Sequence, residues 1–236
     1  MNVKRMAFFL SLVLVLAVGS VFAHDKGDLM LNIEPQIGIA FPGIELKEKS
    51  IVKDKMAFGI DYALRGTVHY YFVDFFGVNA GLGISGFFDY FYADMRIGSG
   101  YYDAINFTFN STFSALYFSI PLGFRFSLKA FAAGAGFTTN IPISGQSKIW
   151  LSGIGSGTKE KDDDFKLNPY MGWYIDIGFD LSGRKGRGGG FGMVGRLNGS
   201  FSNKIITHPD YDRFRHFSIS VVFQPAIQLA SLPIGG

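Results

Sequence analysis

The chain contains no cysteine. No disulfide framework, no thiolate metal site and no lipid-modified cysteine at a processed N-terminus can therefore be built from it. It also lacks an apolar run of bilayer length. The longest, Ala7 to Val18, falls short of the roughly 18 residues that a spanning helix needs, and no comparable run recurs. Charge is scarce, at 17% of residues, and neither sign dominates. Removing an N-terminal segment of 23 residues would leave 20 Lys and Arg (22 less Lys4 and Arg5) against 19 Asp and Glu. A near-neutral chain gives no basis for nucleic-acid binding.

What is present begins with a compartment signal. Lys4 and Arg5 precede the apolar stretch, Gly19 and Ser20 break it, and Val21-Phe22-Ala23 presents small residues at the −3 and −1 positions. That order is the one of a secretory signal peptide spanning 1–23. The remaining 24–236 then forms a single domain.

From Leu29 onward, apolar residues recur at every second position, as in strands with two unlike faces. Leu29, Leu31, Ile33, Ile37 and Ile39 alternate with Met30, Asn32, Glu34, Gln36 and Gly38. Phe58, Ile60, Tyr62, Leu64 and Val68 alternate with Gly59, Asp61, Ala63, Arg65 and Thr67. The pattern returns over 76–88 and 116–126, and more weakly around 130–143, 167–181, 191–203 and 213–224. About eight segments result, each near the nine to eleven residues that cross a bilayer as a tilted strand.

The connections alternate strictly. Tight turns are expected around Val73-Asp74, at 127–129 and over 182–190, and long polar loops over 42–55, 93–112, 144–166 and 203–213. Short periplasmic turns and long external loops are the habit of membrane barrels. The fold expected is all-β: an antiparallel up-and-down transmembrane β-barrel in the outer membrane. A soluble, lipocalin-like barrel would put the apolar face inside. Against it stand a polar face crowded with Gly, Ala and Ser and aromatics clustered at both strand ends. Tyr70, Tyr71, Phe72, Phe75 and Phe76 form one cluster, and Phe88, Tyr90, Phe91, Tyr92, Tyr101 and Tyr102 the other.

Leu116-Tyr117-Phe118-Ser119-Ile120-Pro121-Leu122-Gly123-Phe124 resembles the Tyr-x-x-Ile-Pro strand of PorT-like barrels. The whole layout is similar to the small eight-stranded group that includes OmpX, OmpW and the OmpA membrane domain. The resemblance implies one barrel with both termini in the periplasm; the sequence is expected to depart from it in carrying no added periplasmic domain of the peptidoglycan-binding kind. Barrels of that group usually end at a terminal aromatic, whereas here a tail, 225–236, follows the alternating Phe217, Ile219, Val221 and Phe223.

Motifs that would carry chemistry mostly dissolve. Gly81 to Gly86 fits a dinucleotide-binding glycine pattern but lies within a strand, where no helix N-terminus can hold a pyrophosphate. Lys159 to Asp164 and His208 to Asp212 lack the ligand spacing of a calcium loop. No catalytic, cofactor-binding or metal residues are assigned. Barrel enzymes need a nucleophile, a His and an acid together, and His69, His208 and His216 have no evident partners in sequence.

Four charged residues stand out. Glu34, Arg65, Asp176 and Arg196 fall on the expected lumen face, in one layer and on neighbouring strands. Buried charges must pair, because a lone one costs several kcal/mol, about 3–5 in typical cases. Two readings stay open: a salt-bridged plug, and a gated ion path. The narrow bore of an eight-stranded barrel favours the plug. The function expected is non-enzymatic, in surface interaction or membrane structure. A narrow pore for small solutes and a soluble ligand-binding barrel are the alternatives. Partners expected are outer-membrane lipid, the outer-membrane assembly machinery and an extracellular ligand at the long loops.

Overall fold

A computed structural model describes residues 27–47, 52–97, 105–128, 130–152, 160–161, 164–181 and 189–231. The expected signal peptide, Tyr101, Tyr102 and the turn over 182–188 lie outside the described residues.

Eight strands make the wall: β1 (Asp28–Ala40), β2 (Val52–Val73), β3 (Phe76–Ile97), β4 (Ile105–Leu128), β5 (Phe131–Ser152), β6 (Tyr170–Asp180), β7 (Gly189–Ser200) and β8 (Phe217–Ser231). Each pairs antiparallel with its neighbours in sequence, and β1 pairs with β8, so the sheet closes on itself. The stagger of that ring follows from the register. From Gln36, one way round leads through Ala63, Ser85 and Tyr117 to Pro142. The other leads through Val222, Val194 and Gly178 to Ala132. The two arrivals on β5 differ by ten residues. Eight strands with a shear of ten tilt by about 40° and enclose a bore that side chains fill.

The faces are inverted relative to a soluble barrel. Ile33, Ile37, Ile39, Ile60, Leu64, Leu82, Leu122, Ile177, Ile219 and Ile227 stand exposed on the outside, while Asn32, Glu34, Gln36, Arg65, Thr67, Asp176 and Arg196 are buried. β-branched and aromatic side chains favour the pleated exterior, and ring closure satisfies every strand's backbone without water. The soluble, lipocalin-like alternative requires the reverse and is set aside. This is a transmembrane barrel.

Aromatic girdles mark both edges of the apolar band. Phe72, Phe76 and Phe124 pack in series at the tight-turn end, joined by the contact of Phe75 with Phe126. At the long-loop end Phe41 and Trp173 both meet Phe217, and Phe58 and Trp150 both meet Tyr90. Tyr71 and Phe91, expected in these girdles, instead turn inward and are buried.

Strand lengths divide the wall. β1, β6, β7 and β8 have 11 to 15 residues, and β2 to β5 have 22 to 24. At a rise of about 3.3 Å and a tilt of about 40°, 11 residues rise about 28 Å, and 22 rise about 55 Å. The first spans an apolar band of about 25 Å; the second overshoots it by about the same again. Since the tight turns align at one end, the excess stands at the long-loop end. The loops expected over 93–112 and 144–166 are therefore partly wall, and only 98–104 and 153–169 separate those strands. Residues 225–231, set apart in the sequence as tail, continue β8.

Candidate functional site

Inside the membrane band the lumen is crossed by a buried polar network centred on Arg196. Its Nε and Nη2 donate to the two oxygens of Asp176, at 2.6 and 2.7 Å, a bidentate pair between facing residues of β6 and β7. Nη2 also reaches Glu34 Oε2 at 3.2 Å. The guanidinium lies 4.7 Å from the ring centre of Tyr174, close enough for a cation–π contact.

Glu34 is the second hub. Thr67 Oγ1 donates to its Oε1 at 2.9 Å, Gln224 Nε2 donates to the same oxygen at 3.1 Å, and His69 Nε2 lies 3.5 Å away. Pro35 has no N–H to give, and the ladder from β1 to β8 is interrupted between Asn32 and Gln36, beside Glu34.

Three of the four residues singled out from sequence, Glu34, Asp176 and Arg196, thus meet. Arg65 stands opposite Glu34 in the backbone register, but its side chain goes elsewhere. Its Nη1 donates to Gln36 Oε1 at 2.7 Å and its Nε to Ser119 Oγ at 3.3 Å. Gln36 links the two arginines, since Arg196 Nη1 also approaches its oxygen at 3.4 Å.

Sequence reasoning missed Arg125 and Asp180, a second buried ion pair nearer the tight turns with 2.8 Å between Nη2 and Oδ2. The signal was available: Arg125 sits on the Gly/Ser face of β4, and Asp180 four residues beyond Asp176 on β6. It also missed Gln36, Gln224 and Tyr174, whose hydroxyl donates across the lumen to Asn79 Oδ1 at 3.1 Å. Glycine makes that crossing possible. A Cβ at Gly123 would run into the Tyr174 hydroxyl and Asn79, and one at Gly83 would run into Arg65.

Thr67, His69 and Glu34 are the residue types of a nucleophile, a base and an acid. The same imidazole nitrogen faces both Thr67 Oγ1, at 3.0 Å, and Glu34. A triad needs the base to bond its nucleophile through one nitrogen and its orienting acid through the other. All three are buried in the filled bore, so the group works as part of the network.

Above this network the lumen changes character. The overshooting wall turns Phe87, Phe91, Ala93, Met95, Phe109, Phe113 and Ala115 inward. Against them fold two segments from the opposite, short-stranded side. Residues 43–46 pair with 211–215, bringing Ile44, Leu46, Tyr211 and Phe214, and the 201–210 stretch adds Ile205 and Ile206. Phe214 stacks on Phe87 and meets Phe113 edge-on. The expected polar loop over 203–213 is therefore partly the lid of an apolar core, with Ile205, Ile206, His208 and Tyr211 buried.

No family model matches the chain, and no curated protein matches it in sequence. Solved structures of outer-membrane proteins are similar to it at a low level. Ail, the attachment invasion locus protein of Yersinia pestis, is 14% identical over 86% of this chain and 99% of its own, with a TM-score of 0.36. The outer membrane protein OprG of Pseudomonas aeruginosa is 11% identical over 87% and 96%, with a TM-score of 0.37. The outer membrane protease OmpT of Escherichia coli is 10% identical over 86% and 97%, with a TM-score of 0.36. At these scores the likeness carries no functional argument, and only the residues of this chain bear on its role.

Proposed function

We propose that this chain is a non-enzymatic outer-membrane barrel that presents a rigid surface platform above a closed lumen. The observation that carries the reading is the overshoot. Four strands stand about 25 Å beyond the apolar band, and 43–46 and 201–215 are folded against them into a packed cap. A loop-end built as a core is suited to binding other surfaces, since an ordered scaffold holds its loops for recognition at lower entropic cost. The apolar exterior and the expected signal peptide support the outer membrane as its compartment. Outer-membrane lipid would then cover the exterior, and the assembly machinery would insert the barrel through its strands.

The filled bore favours structure over transport. Deleting 153–159 should abolish adhesion of whole cells to a bound partner while the refolded barrel keeps its heat-modifiable gel migration. Planar-bilayer recordings of the refolded parent should show no steady conductance; steady ion current would replace this reading with a pore. Orientation is tested by cysteines at Ser156 and Ser182. An impermeant thiol reagent on intact cells should label Ser156→Cys only, and the opposite pattern would invert the barrel.

A further inference from the structure

Where β1 leaves the wall, a groove opens at the rim. β1 ends at Ala40, opposite Gly59, and the chain turns inward to pair as 43–46 with 211–215. β2 continues past that point without it. A groove of about 360 Å³ lies between 42–45 and residues 55–57 of β2. Clefts of about 300–1,000 Å³ are the size that ligands occupy.

Its lining is amphiphilic. Ile44 and Met56 give it apolar walls, and three cations, Lys55, Arg213 and Arg215, share it with one carboxylate, Glu45. Arg213 is served by acids already, with Glu45 and Asp212 each 3.9 Å away. The other two cations are not. Lys55 Nζ donates to a neutral group, the Ile44 carbonyl, at 3.0 Å. Arg215 has no side-chain partner among the described residues. The neighbouring Asp54 lies outside the lining, and its charge bears on Tyr92. One uncompensated cation thus comes from the wall, and the other from the 211–215 segment.

The height of the groove defines its surroundings. Phe41, Phe58 and Phe217 belong to the aromatic girdle at this end. Arg215 lies two residues beyond Phe217, Lys55 three beyond Phe58 and Glu45 four beyond Phe41. At about 2.5 Å of height per residue on the tilted wall, Lys55 stands about 8 Å above Phe58. The headgroup layer on each side of the hydrocarbon is about 5–8 Å thick. The two cations therefore stand where a bilayer carries its phosphates.

We propose that this groove binds the phosphate of a membrane lipid, held between Lys55 and Arg215. Ammonium and guanidinium groups form charge-assisted hydrogen bonds to phosphate oxygens, and Ile44 and Met56 offer apolar contact to the part of the lipid next to its headgroup. The segment that carries half of the cap is thereby tied to the leaflet. This goes beyond the platform reading, since it needs no surface partner.

The test titrates the refolded protein in detergent with phosphatidic acid and with a diacylglycerol of the same acyl chains, which differ by the phosphate alone. Lipids bound per chain are counted by native mass spectrometry. The parent should hold one phosphatidic acid in preference to diacylglycerol, and equal retention of the two overturns the proposal. Lys55→Gln and Arg215→Gln should each weaken phosphatidic acid binding about tenfold or more, the worth of one charge-assisted hydrogen bond. Arg96→Gln, which changes an exposed cation of β3 outside the groove, should leave it unchanged. Unchanged binding in either groove variant, or an equal loss in Arg96→Gln, also overturns the site. Glu45→Gln should tighten binding, because it removes a like charge beside the phosphate; a groove that had merely misfolded would bind less, and weaker binding here counts against the site. Glycerol 3-phosphate separates the two sources of phosphate. Even in large excess it should not displace the lipid, and displacement would assign the groove to a soluble phosphate instead. None of these readouts involves a surface partner or a conductance, so the platform reading and this one fail separately.

Discussion

Toward the tight turns, the inward positions of the wall carry Glu34, Arg65, Arg125, Asp176 and Arg196; toward the long loops, the same alternation turns Phe87, Phe91, Phe109 and Phe113 inward. The strands are continuous across that change, and the hydrogen-bond register does not slip between Asp54 and Tyr71 on the β2–β3 pair. What differs is the surroundings. Within the apolar band, lipid already takes the hydrophobic face outside, so the interior is left to polar groups that must satisfy one another. Beyond the band, the wall stands in water and needs an ordinary apolar core, which 43–46 and 201–215 complete. One bore is thus filled twice, by electrostatics below and by the hydrophobic effect above.

The sharpest way to break this contrast is to remove one central residue from each half. Arg196→Ala strands Asp176 and Glu34 together in the bore, and such breaks cost about 3–5 kcal/mol. Its urea midpoint should fall well below the parent's, and Arg196→Ala combined with Asp176→Asn should recover part of the loss. Phe214→Ala empties the centre of the cap at a cost of about 3–5 kcal/mol, but local to it. The expected result is faster proteolysis within 201–216 with the membrane strands still protected. Neither lesion alone should conduct in a planar bilayer, because the other plug remains; the double variant should. If Arg196→Ala conducts alone, the cap does not seal.

A smaller effect separates shape from charge. Gly123→Leu would push into Tyr174 and Asn79, and overpacking of this kind costs about 1–3 kcal/mol. The comparison variant, Tyr174→Phe, loses the one hydrogen bond to Asn79, worth about 0.5–1.5 kcal/mol. Urea unfolding of both, and of the double variant, should show the Gly123→Leu penalty reduced once the hydroxyl is gone.

Strand identity, strand order and the inside-out faces were legible in residues such as Ile33, Glu34, Ile37 and Gly38; the strict alternation of turn and loop lengths was not kept, since 98–104 on the long-loop side is no longer than 181–188 on the tight-turn side. In the membrane band the two faces differ in kind, and a period of two is all that is needed to see it. Leu167, by contrast, which weak periodicity placed at the start of a wall strand, belongs to a short strand with Ile206 outside the ring. The upper wall was legible only in part. Over 87–97 both faces carry aromatic or apolar residues, so the alternation that marks a strand fades where the strand in fact continues, while over 105–113 Ile105, Phe107, Phe109 and Phe113 alternate with Asn106, Thr108, Asn110 and Thr112 inside a stretch expected as loop. The common lumen layer of Glu34, Asp176 and Arg196 could be reached by counting along strands. That Arg65 turns to Gln36 and that Arg125 finds Asp180 could not. Those outcomes depend on the ten-residue stagger of the closed ring, which rotates each strand's inward residues past its neighbours'. Local pattern determined which residues face the bore; only closure decided which of them meet, because shear is a property of the whole ring and of no single segment.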